Sequence, residues 1–170
     1  ISNTSATERH TAFNADMVRI GIGLYGHTPI NNTELSLSPV AHLYSKVSHI
    51  HFIREGEGVS YGRDYIAKED RKIATIPIGY ADGYMRSLGN SGIAFIGDYK
   101  VPVVGRISMD LTTVDVTSVP DHILSQEIAV DLIGPNNPID QIATQAGSIS
   151  YELLTGLGSR VDRKYLSEKD

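Results

Sequence analysis

Six short apolar stretches, each bounded by turn-forming residues, limit what this chain can fold into. Residues 43–53, 72–80, 92–96, 101–108, 111–116 and 127–133 are β-rich, and EGEG, ADG, GD, SVPD and GPNNP punctuate them. Strands at that spacing form a barrel or a sandwich, and a chain of 170 residues is long enough to bury such a core. Near the end the periodicity changes. Ile139, Ile142, Ala143 and Ala146 fall at helical spacing, with Asn137 as the expected N-cap, Pro138 at the first helical position, Asp140 in the first turn and Gly147 as the stop. A second short helix is predicted at about residues 150–157, followed by an extended piece containing Val161.

The N-terminal part reads differently. MVRIGIGLY, residues 17–25, alternates like a strand whose backbone is closely approached at Gly21 and Gly23. Residues 28–41, with Pro29, Asn31, Asn32 and Pro39, read as a linker with a boundary near residue 35. The chain opens on Ile1-Ser2-Asn3 without an initiator methionine, and is expected to be a piece of a longer protein whose N-terminal part precedes it.

Composition excludes several classes. Twenty acidic against fifteen basic residues, with no Lys/Arg stripe, argue against tracking a phosphate backbone, so no nucleic-acid partner is expected. No apolar run approaches the roughly 18 residues of a membrane span. The lack of cysteine fits a reducing cytoplasm and removes thiolate chemistry. His49 and His51 share one face of a predicted strand, but no third ligand lies at a recognisable spacing, so no metal is expected. Gly21-Ile22-Gly23 is half of a dinucleotide fingerprint on a strand that does not open into a helix; a Rossmann reading fails, while phosphate contact through backbone N–H groups stays open.

The tyrosines carry more. Four of nine touch a glycine: Tyr25, Tyr61, Tyr80 and Tyr84. Tyr25 and Tyr84 read as tyrosines that close strands at turns, with half-buried rings and wet hydroxyls. Tyr61 lies in GVSYGRDY, where glycine beside a large aromatic is poor material for a strand interior. Tyr80 lies in IPIGYADGYMR, where a buried strand ends in a turn with Asp82 and Gly83 and is followed by Arg86; VVGRISMD places Arg106, Met109 and Asp110 after another apolar run. Strand-end clusters of this kind can line one site, since a rigid sheet positions functional loops.

Taken in order, MVRIGIGLYG, VSYGRDY, IPIGYADGYMR, VVGRISMD and SISYELL resemble the C-terminal portion of the alanine racemase family, over essentially the whole chain. The resemblance implies a mainly β fold: a C-terminal β-barrel-like domain with two short helices at 36–170, preceded at 1–35 by the last part of a cofactor-binding (β/α)8 barrel and a linker. It implies a pyridoxal 5'-phosphate-dependent isomerase that interconverts L- and D-alanine for peptidoglycan and works as a head-to-tail homodimer with shared sites. Racemisation removes the proton α to a carboxylate, which the cofactor makes accessible as an electron sink, and inversion demands one base on each face.

By the same resemblance, one base is the cofactor-binding lysine of the barrel, and the other is Tyr61, acting on the L-face in the partner's site. Arg19 matches the arginine facing the pyridine nitrogen, where a guanidinium keeps that nitrogen unprotonated. Gly21 and Ile22 match backbone donors to the cofactor phosphate, Tyr151 its phenolic contact, and Thr4 or Ser5 a hydroxyl on it. Met109 matches the position that meets the substrate carboxylate through its main-chain N–H. Tyr80, also assigned to the substrate site, matches its rim with Arg106 and Asp110. None of Lys46, Lys68, Lys72, Lys100, Lys164 and Lys169 matches the barrel lysine, so the chain by itself is expected to be inactive. The motifs leave open a serine-acting or broad-specificity racemase, a parent protein anchored in the membrane, and a non-catalytic β-barrel assembly module.

Overall fold

The computed structural model describes residues 1–28, 30, 36–124 and 127–166. They divide into two units, Ile1–Leu43 and Tyr44–Asp170. Part of the linker expected at 28–41, Pro29 and residues 31–35 with Asn31 and Asn32 among them, lies outside the described residues, as does the boundary expected near residue 35.

In the first unit, β1 (Ser2–Asn3) pairs in parallel with β2 (Val18–Arg19), with Asn3 opposite Arg19. A parallel pair needs a crossover. Here α1 (Thr4–Arg9) and a 3-10 turn at Thr11–Phe13 supply it, and the Asn3 carboxamide caps α1 by accepting from Ala6 N–H at 2.9 Å. The single strand expected across residues 17–25 is not formed. Gly21 takes φ −114° and ψ −91°, outside the β region, and Ile22–Tyr25 form a 3-10 turn closed by Leu24 N–H on the Gly21 carbonyl at 3.0 Å.

The second unit is built from β3 (Leu43–Lys46, of which Tyr44 onward belong to it), β4 (His49–Ile53), β5 (Gly58–Val59), β6 (Tyr65–Ile66), β7 (Arg71–Ile76), β8 (Ile93–Ile96), β9 (Tyr99–Pro102), β10 (Thr112–Asp115) and β11 (Ala129–Ile133). Two main sheets run in the orders β10-β7-β4 and β3-β11-β8-β9, and β5 with β6 forms a small antiparallel pair. The sheets are stitched together at two places. Between β3 and β4, Val47 N–H donates to the Ile128 carbonyl at 3.1 Å, while Ser48 N–H donates to the Thr75 carbonyl at 2.9 Å. Beyond β9, Val103 bridges Val114, and Val104 N–H donates to the Thr113 carbonyl at 2.9 Å. The ribbon of hydrogen bonds therefore closes on itself, which removes the free sheet edges that an open β layer would expose. Of the barrel and the sandwich, the stitching selects the barrel-like form.

The closed ribbon is filled by apolar side chains. Ile73, Ala74 and Ile76 of the central strand β7 are wholly buried, as are Val101, Val114 and Leu132. Each buried Ile, Val or Leu contributes about 1.5–3 kcal/mol relative to exposure. Two helices follow, α2 (Ile139–Ala146) and α3 (Ser150–Gly156), and α2 buries Ile139, Ile142 and Ala143 before ending at Gly147. The N-cap of α2 is Pro138. Asn137 is instead turned inward, donating to the Ile93 and Leu132 carbonyls at 2.7 and 2.8 Å. A buried carboxamide serves two orphan strand carbonyls here, a use that outcompetes capping. Val161 lies in a bend rather than in an extended strand. Among the described residues, no helix is long and apolar enough to cross a membrane.

Candidate active site

Three strand-end segments of the second unit converge on a pocket of about 310 Å³ lined by Tyr61, Tyr80, Arg86 and residues 106–109. Close backbone approach brings two of them together. Tyr80 N–H donates to the Ser108 carbonyl and Ala81 N–H to the Met109 carbonyl, both at 3.0 Å. A Cβ on Gly79 would stand 2.4 Å from each of those carbonyl oxygens, so only glycine fits between β7 and the 108–109 backbone. The turn after Ile107 is held by Ser108: its N–H donates to the Leu111 carbonyl at 2.9 Å, and its Oγ accepts from Leu111 N–H at 3.0 Å. Met109 is carried at the tip of this turn, 53% exposed, and its N–H has no acceptor among the described residues. Two guanidiniums and two phenols line the pocket and no carboxylate does, an electrostatic setting that favours a small anion.

The Tyr61 segment is held differently. It is a 3-10 turn, Tyr61–Arg63, between β5 and β6, with the Tyr61 ring 74% exposed. Ser60, Gly62 and Arg63 all have positive φ, at 67°, 72° and 51°. A non-glycine residue in that region costs on the order of 1 kcal/mol, so Ser60 and Arg63 need external restraint. Ser60 Oγ donates to the Arg106 carbonyl at 2.7 Å, and Arg63 donates to the Gly56 carbonyl at 2.7 Å. A Cβ on Gly105, at φ 75°, would come within 2.6 Å of Ser60 Cβ, so the loops touch where Gly105 has no side chain. Arg106 pairs with Asp64 at 3.1 Å, and this hydrogen bond, then the carboxylate's charge, raises the guanidinium pKa.

Asp110 does not line the pocket. It faces Arg160, whose guanidinium bridges Asp110 at 2.6 Å and Asp82 at 3.1 Å, with its pKa raised first by the Asp110 bond and then by the Asp82 charge. Asp82 is buried and accepts from Gly79 N–H at 2.8 Å, so Arg160 ties the Tyr80 turn to the Met109 turn. Tyr151 stands in the first turn of α3, 42% exposed and outside the pocket lining. Tyr25 is half exposed, but Tyr84 is buried to 1%, and its hydroxyl has no partner among the described residues. The expectation of a wet hydroxyl fails for Tyr84: burial holds the phenol above its ordinary pKa. His49 and His51 stack with ring centroids 5.5 Å apart, and no group of three potential metal ligands occurs among the described residues.

The first unit gathers the other expected contacts among its own elements. Thr4 Oγ1 accepts from Gly21 N–H at 3.1 Å. A hydroxyl that accepts there keeps its own proton to donate outward. Ile22 opens the 3-10 turn, whose N-cap Gly21 provides no side-chain cap, and the space beside Gly21 where a Cβ would stand is open. Arg19 ends β2 with an exposed side chain. Hydroxyl and backbone donors beside an open glycine suit a phosphate group.

Sequence reasoning missed Asp64, Asn90 and Arg160. The first two join the Tyr61 loop to its neighbours, and the third joins the other two loops. Of these, Asn90 left a legible sign: asparagine is enriched several-fold among non-glycine residues at positive φ, and Asn90 has φ 59°.

A family model described as "Alanine racemase, C-terminal domain" matches residues 40–165. The biosynthetic alanine racemase of Agrobacterium fabrum is 41% identical over 169 residues, covering 93% of this chain and 43% of that protein. Among solved structures, alanine racemase from Bartonella henselae with covalently bound pyridoxal phosphate superposes with a TM-score of 0.92 at 36% identity, covering 97% of this chain and 46% of that one. Alanine racemase from Clostridium difficile in complex with cycloserine gives 0.90 at 37% identity, covering 99% and 45%. The chain thus spans less than half the length of the relatives it matches. On the ordered motifs, the closed β unit and this similarity, the chain belongs to the alanine racemase family and corresponds to its C-terminal portion.

Proposed function

We propose that the chain forms part of a pyridoxal 5'-phosphate-dependent alanine racemase, a homodimeric enzyme with shared sites, and that Tyr61 is its base for the L-enantiomer. The observation that carries this reading is the convergence of Tyr61, Tyr80, Arg106 and Met109 on one pocket in a chain of this family. When bound, the cofactor supplies the electron sink that makes an amino acid's α-proton removable. By the family resemblance, Thr4 Oγ1, the N–H groups of Gly21 and Ile22, and the Tyr151 phenol are the groups that would hold its phosphate. Arg19, by the family resemblance, would meet the ring nitrogen and, as a guanidinium that does not readily release its proton, would leave it unprotonated.

The remaining steps belong to the second unit's own atoms. Met109 N–H and the positive pocket orient the substrate carboxylate. Tyr61 Oη takes the α-proton from one enantiomer and returns it in the reverse direction, while Tyr80 and Arg106 narrow the approach and limit water. The Arg160 bridge between Asp82 and Asp110 keeps the Met109 turn in register with Tyr80. Because Tyr61 acts in the partner's site, a dimer is part of the reading, as is a cytoplasmic setting, which the cysteine-free composition fits.

The test is racemisation of L-alanine by the full-length protein, supplied with pyridoxal 5'-phosphate, as wild type and as Tyr61→Phe. Loss of the hydroxyl is expected to lower kcat by on the order of 10²–10⁴-fold. An undiminished rate removes Tyr61 from the mechanism. The same assay with L-serine separates the alanine reading from its serine-acting alternative by comparing kcat/KM.

A further inference from the structure

We propose that Asn90 is a positioning residue for Tyr61, its carboxamide clamping the tyrosine loop to the segments that carry Arg86 and Arg106. The inference rests on the proposed role of Tyr61. Asn90 Oδ1 accepts from Gly105 N–H at 2.6 Å, and Nδ2 donates to the Asp64 carbonyl at 3.3 Å and to Asp64 Oδ2 at 3.1 Å. The amide orientation is fixed by chemistry: a backbone N–H can only donate, so the oxygen must face Gly105 and the nitrogen must face Asp64. Asp64 Oδ1 also accepts from Arg106 at 3.1 Å, and the Arg106 carbonyl accepts from Ser60 Oγ at 2.7 Å. Tyr61 thus lies between two anchors, Ser60 and Asp64, each tied to the 105–106 backbone or the side chain it carries.

Val59 and Tyr65 pack the loop's two flanks against the core, and the residues between them are held by these polar bonds. Asn90 is exposed, with its own backbone in the left-handed region at φ 59°, directly after the 3-10 turn Arg86–Leu88 and Gly89. Its side chain adds no core packing, yet it links the three segments that line the pocket. The tyrosine loop meanwhile holds two non-glycine residues at positive φ, a conformation that persists only when its surroundings over-determine it. The position needs one acceptor and one donor on a short planar group. Aspartate would set a carboxylate against Asp64, and alanine or glycine would offer neither bond.

The test is washout of α-deuterium from L- and from D-alanine by the full-length, cofactor-loaded protein. Asn90→Gly accepts the left-handed backbone without strain and removes only the carboxamide. It is expected to slow washout from L-alanine on the order of tenfold while leaving washout from D-alanine, which uses the base on the opposite face, unchanged. Asn90→Asp is expected to shift the ratio in the same direction. Partial unfolding would lower both rates together and leave their ratio intact, so the ratio reports position rather than stability. An Asn90→Gly ratio equal to that of wild type overturns the proposal, provided Tyr61→Phe shifts it. A Tyr61→Phe ratio equal to wild type overturns the underlying role of Tyr61, and the inference with it.

Discussion

Strand β7 and the Tyr61 loop are separated by only a few residues of sequence, yet they are held by opposite means. In β7, Ile73, Ala74 and Ile76 are wholly buried, and neighbours on both sides complete the backbone ladder. The loop exposes Tyr61, holds Ser60 and Arg63 at positive φ, and relies on a handful of polar bonds through Asp64, Asn90 and Arg106. Packing in the first case is redundant and serves the fold. Restraint in the second is sparse and specific.

The contrast predicts a double dissociation. Tyr61→Phe is expected to cost on the order of 10²–10⁴-fold in kcat with the thermal midpoint unmoved, because Tyr61 is exposed and its hydroxyl makes no hydrogen bond among the described residues. Ile73→Ala is expected to cost about 2–5 kcal/mol of stability by cavity formation, read by urea denaturation, while kcat per folded molecule stays at the wild-type value. If Ile73→Ala instead lowers kcat without loss of stability, the two regions are not separate in the way described.

A smaller effect is expected at Tyr84, where the core carries a polar group without a partner. Tyr84→Phe removes that buried hydroxyl and is expected to raise stability by about 1 kcal/mol. The native phenol pKa lies above its unfolded value near 10, so the neutral form's stability is complete below about pH 10 and is lost as pH rises beyond it. Alkaline unfolding should therefore begin at lower pH in the wild type than in Tyr84→Phe.

The smallest effect is expected at His51. Burial first and the neighbouring His49 second hold its pKa below the ordinary value of about 6.5. Its contribution is present above that pH and is lost as pH falls through the lowered native value, so His51→Gln should flatten the acid limb of a stability profile slightly.

Much of this was legible in the chain. The apolar runs located the ribbons, and the spacing of Ile139, Ile142 and Ala143 with Gly147 located α2, because periodicity follows burial directly. The ordered motifs named Tyr61, Tyr80, Arg106 and Met109, which line one pocket. What stayed hidden has physical reasons. Asn137 reads as a cap, but its bond to the Ile93 carbonyl, far back along the chain, leaves no local trace. Alternation through Gly21 and Gly23 reads as a strand, yet glycine permits the departure from β geometry that starts a turn there. Positive φ at Ser60 is held by a bond to the Arg106 carbonyl far along the chain, and Arg160 reaches Asp82 and Asp110 across long stretches of chain.

The central claim, that Tyr61 is the proton-transferring base for one enantiomer, is tested most directly by α-deuterium washout in the full-length Tyr61→Phe protein loaded with pyridoxal 5'-phosphate. The account predicts that washout from L-alanine is lost while washout from D-alanine persists. Washout retained from both enantiomers, or lost equally from both, would contradict it.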